Sequence, residues 1–516
     1  MQYGFVINQG TCIGCHACTV ACKSENQVPL GQFRTWVKTI ESGTFPDARR
    51  DFGVMRCNQC SEAPCVAICP TGALHKRPDG VVDVNSELCI GCRSCMQACP
   101  YDSLYINENK GTTEKCHFCS HRTEQGLAPA CSVACPTESI IPGDFDDPDS
   151  EVSRLKATGK LIARKTEAGT NPNVWYLNAA PEVLEPLASS DAGGYLAING
   201  FDNERSAAQK FVAETEQPDA KTVFDVPRNL NWGWEIAGYL FTKSLAAGIF
   251  IAGLSLLWEY INSGNTISAT SLVWIPMFSL IFLALTMVLL VVKLTRPERF
   301  WKMLISPNWQ SWVARGSFII MAYGLMLVIW LVTLLQEFMF SRVVAHSLLI
   351  ATTLLAVGSA VYTAWLFGQC KGRVLWLKRG YALHLLAQAV LAGSAMSIIL
   401  GSFNLIRVDL LFSLYLLIVS LAVHGAFYLM DHLLVPNQRE VEYQRVHTLL
   451  FKGPWRNSFW IGAIMIGTLL PLLILGAFMA DILGGDWITF AAAMALVGLL
   501  LEEVIFIKVG QSHPIS

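Results

Sequence analysis

Sixteen of the chain's seventeen cysteines fall into four groups of four. Cys12, Cys15, Cys18 and Cys22 form the first, and Cys57, Cys60, Cys65 and Cys69 the second. Cys89, Cys92, Cys95 and Cys99 form the third, and Cys116, Cys119, Cys131 and Cys135 the fourth. The first and third groups have the spacing C-x2-C-x2-C-x3-C, and the other two stretch one gap. Pro70, Pro100 and Pro136 follow the last cysteine of groups two to four. A tight loop of this spacing wraps three thiolates round one [4Fe–4S] cube, and the fourth cysteine ligates the neighbouring cube. The proline after it breaks the local hydrogen-bond pattern and turns the chain away. Zinc sites use C-x2-C knuckles too, but they close with four ligands from two knuckles and do not explain the repeated x3-C-P. Four intact groups therefore predict four cubanes and no [3Fe–4S] site. Cys370 is a lone loop thiol. His117 and His121 read as surface residues that at most tune a cluster by hydrogen bonding.

The elements that carry these cysteines form one zone of a divided chain. Of 516 residues, 53% are hydrophobic and 15% charged, with a net charge of −2. A soluble chain carries about 25% charged residues. The cysteine groups end at Cys135, and the long apolar runs begin after residue 234. This division excludes a single soluble domain and a disordered chain. The near-neutral charge gives no support for nucleic-acid binding. Met1-Gln2-Tyr3-Gly4-Phe5 runs straight into the first cysteine motif, so neither a secretory signal nor a twin arginine is expected. The cysteines accordingly read as metal ligands rather than disulfides. Residues 1–200 are expected to form an α+β ferredoxin-like iron–sulfur domain. Residues 201–230, with Asp202, Asn203, Glu204, Glu214, Glu216, Gln217, Pro218 and Asp219, read as a polar linker. Residues 231–516 read as an all-α transmembrane domain of eight helices.

About 20 apolar residues span a bilayer core. The expected spans are 234–258, 270–292, 315–337, 344–368, 380–403, 408–430, 457–480 and 487–509. The loops after spans two, four and six carry thirteen Lys and Arg: Lys293, Arg296, Arg299, Lys302, Arg315; Lys371, Arg373, Lys378, Arg379; Arg439, Arg445, Lys452, Arg456. The opposite loops carry two, Arg342 and Arg407, and the last of them is acidic, with Asp481 and Asp486. The positive-inside rule then places both termini and the cysteine domain in the cytoplasm, on the inner membrane. That reducing compartment suits thiolate ligands.

The cysteine domain resembles the four-cluster electron-transfer subunit of the molybdopterin oxidoreductases of the dimethyl sulfoxide and polysulfide reductase type. Cys69-Pro70-Thr71-Gly72-Ala73-Leu74, Cys89-Ile90-Gly91-Cys92-Arg93, Cys99-Pro100-Tyr101 and the spacing of the fourth group carry the likeness, and Gly194-Tyr195-Leu196-Ala197 resembles the tail of such subunits. The resemblance implies that Cys12, Cys15, Cys18 and Cys135 hold one cluster. It assigns Cys116, Cys119, Cys131 and Cys22 to its neighbour, Cys57, Cys60, Cys65 and Cys99 to a third, and Cys89, Cys92, Cys95 and Cys69 to the last. Spacing alone does not fix this pairing. The membrane half resembles the haem-free, NrfD-like quinone subunit of the polysulfide reductase family. Its loop Leu294-Thr295-Arg296-Pro297-Glu298-Arg299-Phe300-Trp301, Pro307-Asn308-Trp309 and Ser311-Trp312 carries that likeness. So do Tyr239-Leu240-Phe241 and Ala246-Ala247-Gly248 in the first span. Where many relatives place an acidic residue or histidine ahead of that loop, this chain has Lys293. The whole resembles a fusion of two subunits that are normally separate.

Ionisable residues inside a membrane are costly and mark function. Lys243 lies in span one, His384 and Gln388 in span five, His424 in span six, and Glu502 and Glu503 in span eight. All fall in the cytoplasmic half, where Lys243, His384, His424 and Glu502 are expected to line a quinone site. Lys243 could instead snorkel, His384 could cap its helix, and the two glutamates could pair with Lys243 for packing alone. Asp431 and His432 lie near the interface and read as solvated, and His346 at the far end suggests no site. A haem would need a histidine pair such as His384 and His424, and none is expected. The function expected is electron transfer and membrane anchoring, with electrons passing between a molybdopterin-containing catalytic partner and membrane quinone or quinol. No substrate pocket is visible on this chain, so the substrate site of the oxidoreductase belongs to the partner. Inward placement resembles the sulfite-oxidising type. A redox-driven, proton-translocating quinol-oxidising complex is the alternative, disfavoured because the far half of the membrane holds few ionisable residues beyond Glu259, His346 and Asp409. A free ferredoxin-like carrier does not account for eight spans.

Two measurements check this reading. Purified protein should contain roughly sixteen iron atoms per chain, and Cys95→Ser should lower that figure, whereas half that iron in folded wild-type protein would contradict four clusters. A reporter fused after Ser516 should be active only in cytoplasmic form, and a periplasmic C-terminus would reverse the placement.

Overall fold

The computed structural model describes residues 1–516 except 187, 192–207, 209, 212–213, 216–218, 227–230, 264–266, 338–339, 431–432, 437, 514 and 516. Gly194–Ala197, Asp431, His432 and most of the linker residues named above lie outside the described residues.

Two local sequences in the cysteine domain repeat, and their backbones repeat with them. Cys12-Ile13-Gly14-Cys15 and Cys89-Ile90-Gly91-Cys92 both place glycine at positive φ, +67° and +70°. The residue after the second cysteine is left-handed in both, His16 at 60° and Arg93 at 61°. Each loop then enters a helix, Ala17–Asn26 or Ser94–Ala98. Around these loops, strand Tyr3–Asn8 pairs in parallel with Val174–Leu177 and antiparallel with Ile140–Asp144. Thr35–Ser42 and Arg49–Arg56 form a second antiparallel pair, and two short hairpins, 74–84 and 104–115, lie beside the second, third and fourth cysteine groups. Strand Ala220–Phe224 adds to Thr35–Ser42, so part of the stretch read as linker is built into the domain's own sheet.

Among the described residues, eight helices are long and apolar enough to cross a membrane: Trp234–Asn262, Ala269–Val292, Trp312–Leu335, Arg342–Gln369, Tyr381–Ser402, Leu410–Leu429, Ser458–Met479 and Asp486–Ser512. They are numbered here as spans one to eight. The first is the most enclosed, packed among the second, fourth, fifth and eighth. It meets the fifth backbone to backbone, because a Cβ on Gly248 would lie 1.8 Å from the Ala389 carbonyl oxygen. Small residues at such crossings let membrane helices approach closely.

A short helix outside the membrane, Glu440–Phe451, clamps the two halves. Glu442 accepts from Lys165 of the cysteine domain at 2.9 Å and from Arg439 Nε at 2.6 Å. Burial alone would raise the Glu442 carboxyl, but Lys165, Arg439 and His513 outweigh it and hold it at about 2. A carboxyl depressed in the folded state stabilises fully above its unfolded value, and that contribution disappears as pH falls from about 4 towards 2. Glu442→Gln should cost about 3–5 kcal/mol, the scale for breaking a buried ion pair from one side. Thermal unfolding at pH 7 checks this, and an unchanged midpoint would contradict it.

Candidate electron-transfer site

The sixteen thiols come together in four sets drawn from distant parts of the chain. Cys60 is pushed well up by burial and by Cys57, Cys65 and Cys99. Burial raises Cys22, with Cys116, Cys131 and Cys119 adding to the effect. Cys95 stands beside Cys92, Cys89 and Cys69, and Cys12 beside Cys135 and Cys15. Burial takes Cys92 up to about 12, with Cys69 and Cys89 as its cysteine neighbours. As bare thiols Cys12, Cys22, Cys60, Cys92 and Cys95 would stay protonated at neutral pH. They suit a metal cluster, whose positive charge releases a coordinating thiol's proton. Backbone amides already point at the sulfurs: Leu74 N to Cys69 Sγ at 3.5 Å, Thr113 N to Cys89 Sγ at 3.5 Å and Ser139 N to Cys135 Sγ at 3.3 Å.

The sets follow one another in a line. Cys15 is exposed at the outer edge, flanked by exposed Ile13 and Val20. Cys131 faces both Cys18 and Cys22, joining the first two sets. Lys115, adjacent in sequence to Cys116, faces Cys65, and Cys65 also faces Cys69. Cys92 ends the line at the membrane helices. Arg56, which sequence reasoning passed over, is buried between the Phe5 ring and Cys131 Sγ, to which Nη1 donates at 3.4 Å. Burial opposes its charge, but Cys131, Cys116 and Cys18 outweigh burial. His121 pairs with Glu25 at 2.8 Å at the surface, and Cys370 is fully buried.

The loop between spans two and three seats this domain. Thr295 Oγ1 donates to the Gly111 carbonyl at 2.6 Å, and Arg296 N donates to the Ile90 carbonyl at 3.3 Å. Arg299 reaches the Ser86 carbonyl at 2.8 Å, Asn308 Nδ2 that of Cys69 at 2.9 Å, and Ser311 Oγ that of Ile68 at 2.6 Å. Between the loop and the domain lies a mostly apolar pocket, lined by Ile90, Cys92 and Ser94 on one side. Trp232, Tyr239, Met287, Lys293, Phe300, Met303, Tyr362 and Thr363 line the other. Trp232 Nε1 donates to the Cys92 carbonyl at 3.5 Å. The Tyr239 hydroxyl contacts those of Tyr362 and Thr363.

The four polar residues expected at one site divide between two places. Lys243 stands behind the pocket, donating to the Ala360 carbonyl at 2.9 Å and to Thr363 Oγ1. His384, His424 and Glu502 gather where spans five, six and eight meet. His384 Nε2 and His424 Nδ1 are 3.0 Å apart, and His424 Nε2 lies 2.9 Å from Glu502 Oε2. Gln388 donates to Glu502 Oε1 at 3.0 Å. The imidazoles touch directly, which leaves no room for a porphyrin between them. None of these four lines the pocket. Tyr239, Tyr362 and Thr363 escaped sequence reasoning as neutral residues in apolar helices; only the likeness around Tyr239-Leu240-Phe241 marked one of them.

Comparison with known proteins agrees with both halves. A family model described as polysulphide reductase, NrfD, matches residues 222–514, and one described as a 4Fe-4S dicluster domain matches residues 49–145. A putative dimethyl sulfoxide reductase iron-sulfur subunit of Halobacterium salinarum is 41% identical over 219 residues, covering 36% of this chain and 83% of that protein. A tetrathionate reductase subunit of Salmonella typhimurium is 40% identical over 190 residues, covering 36% of this chain and 76% of that protein. A polysulfide reductase polypeptide of Wolinella succinogenes is 38% identical over 177 residues, covering 34% and 93%. With a strand-rich cysteine domain seated on eight apolar helices, the chain belongs to the NrfD polysulphide reductase family and carries a 4Fe-4S dicluster domain fused ahead of it.

Proposed function

We propose that this chain conducts electrons between a molybdopterin-containing catalytic partner and membrane quinone, through four [4Fe–4S] clusters held by the four thiol sets. The observation that carries the reading is the line of sets from exposed Cys15 to Cys92, which ends in an apolar pocket between the domain and the membrane helices. The partner docks at the outer edge, where Ile13 and Val20 are 58% and 65% exposed. Bound clusters would supply one-electron steps. The relatives, named as parts of multi-subunit reductases, support a catalytic partner. The basic loops support a cytoplasmic domain on the inner membrane and an inward-facing partner of the sulfite-oxidising type.

In this pocket the side chains bind and orient the quinone head. Tyr239, Tyr362 and Thr363 present hydroxyls, Met287, Phe300 and Met303 enclose the ring, and Lys243 fixes Thr363 from behind. A site of this make-up, mostly apolar with a few convergent polar groups, is typical for small ligands. Tyr239→Phe and Tyr362→Phe should each lower quinone-linked turnover at least about tenfold, short of the roughly 10²–10⁴-fold that a general acid or base contributes. Dye-linked oxidation and iron content should hold, and unchanged quinone kinetics in both variants would overturn the site.

Arg56 generates a second test. Its charge favours the reduced, more negative form of the cluster at Cys131. A hydrogen bond to a charged group contributes about 1.5–3 kcal/mol, so Arg56→Leu should lower that cluster's potential by on the order of 100 mV. Redox titration followed by electron paramagnetic resonance reads the shift, and an unmoved set of potentials would contradict the assignment.

A further inference from the structure

One chain of buried ionisable side chains leads away from the pocket. It begins at Lys243, whose ammonium holds Thr363 on the pocket wall. Lys243 and Glu503 are near enough to interact electrostatically. Glu503 follows Glu502, which meets His424, which meets His384. His384 in turn faces Lys378, which lines a polar groove with Glu167, Lys371 and Arg379 at the domain–membrane boundary. The members descend in order. His384 is three residues from its helix end, His424 five, Glu503 nine and Lys243 nine. At 1.5 Å per residue these lie roughly 5, 8, 14 and 14 Å below the surface on the iron–sulfur side.

A network that only glued helices would be fully satisfied, since buried polar groups without partners are costly. Here both Glu503 oxygens, His384 Nδ1 and Gln388 Oε1 are buried with no hydrogen-bond partner among the described residues. His424 has both ring nitrogens engaged, one by an imidazole and one by a carboxylate. An imidazole held in that way can take a proton at one nitrogen and release one at the other.

We infer that Lys243, Glu503, Glu502, His424 and His384 form the proton path between the quinone pocket and water in the groove at Lys378. This rests on the reading of the pocket as the quinone site. The step it serves is quinone plus two electrons plus two protons giving quinol. The electrons come from the cysteine domain and the protons from the groove, and every flow reverses for quinol oxidation. The path opens on the face that carries the iron–sulfur domain, so it supplies the protons of the reaction and moves none across the bilayer.

The test uses the full chain in lipid vesicles, with reduced methyl viologen as electron source and a short-chain quinone as acceptor. Glu503→Gln should lower kcat at least about tenfold with the quinone KM within about twofold, unchanged cluster spectra and a larger solvent isotope effect, and Glu503→Asp should recover part of the rate. Wild-type turnover and isotope effect in Glu503→Gln would overturn the path. If that variant does not assemble, reduced-minus-oxidised infrared spectra of unmodified protein labelled with 13C-glutamate decide. A labelled carboxyl band that appears only with quinone supports the path, and its absence overturns it. A stoichiometric transition metal on His384, His424 and Glu502, removed by chelator together with turnover, would also overturn it. The pocket stands or falls separately: a quinone analogue that binds Glu503→Gln as tightly as wild type leaves it intact whatever the rate.

Discussion

The seat of the cysteine loops on the loop between spans two and three is the constraint on which the rest depends. It is made by backbone amides and short side chains of that loop reaching the backbone carbonyls of the cysteine loops. Gly91 stands at positive φ, and a Cβ there would lie 1.7 Å from Thr295 Oγ1. Thr295 can then reach the Gly111 carbonyl, and Arg296 the carbonyls of Ile90 and Lys110. The same contact brings Cys92 to the wall of the membrane pocket. Electron transfer needs closeness, and here closeness follows from the absence of a single side chain.

Other contacts hold that seat rigid from the opposite side. Gln97, fully buried in the helix after Cys92, donates to Gln511 at the end of span eight and accepts from Arg373 at 2.7 Å. Gly372 is pressed against the backbone of Cys99, and Trp232 and Trp376 stack beneath. Spans one, four and eight therefore end on the iron–sulfur domain itself, and the groups they carry are positioned from it. Lys243 holds the pocket wall, and Glu502 and Glu503 hang one helix away. The membrane half is a mount whose few polar groups are set by their depth below one surface.

Much of this was legible in the residues. Cysteine spacing is a local code, because three ligands must come from one short loop, and it pointed to the strand-rich iron–sulfur fold. Twenty-residue apolar runs are equally local, and the eight expected spans match eight helices among the described residues. What sequence could not supply was adjacency. Lys243 and His424 lie on different helices in the same half of the membrane, and nothing in their spacing says that one faces Thr363 and the other Glu502. Tyr239 and Tyr362 are common residues in apolar helices and gain meaning only by facing each other across a pocket. Strand Ala220–Phe224 looked like linker because its partner, Thr35–Ser42, lies far back in the chain. Helix Glu440–Phe451 was missed because its role is an ion pair with Lys165, again from the other domain.

The most direct measurement is photolabelling of the intact protein in vesicles with an azidoquinone, followed by peptide mapping. Quinone seated beneath Cys92 should label peptides carrying Tyr239, Met287, Met303 or Tyr362, and an excess of unmodified quinone should suppress that label. Label confined to the His424 peptide, or to the far ends of the spans, would place the quinone elsewhere and contradict the path from the cysteine sets to this pocket.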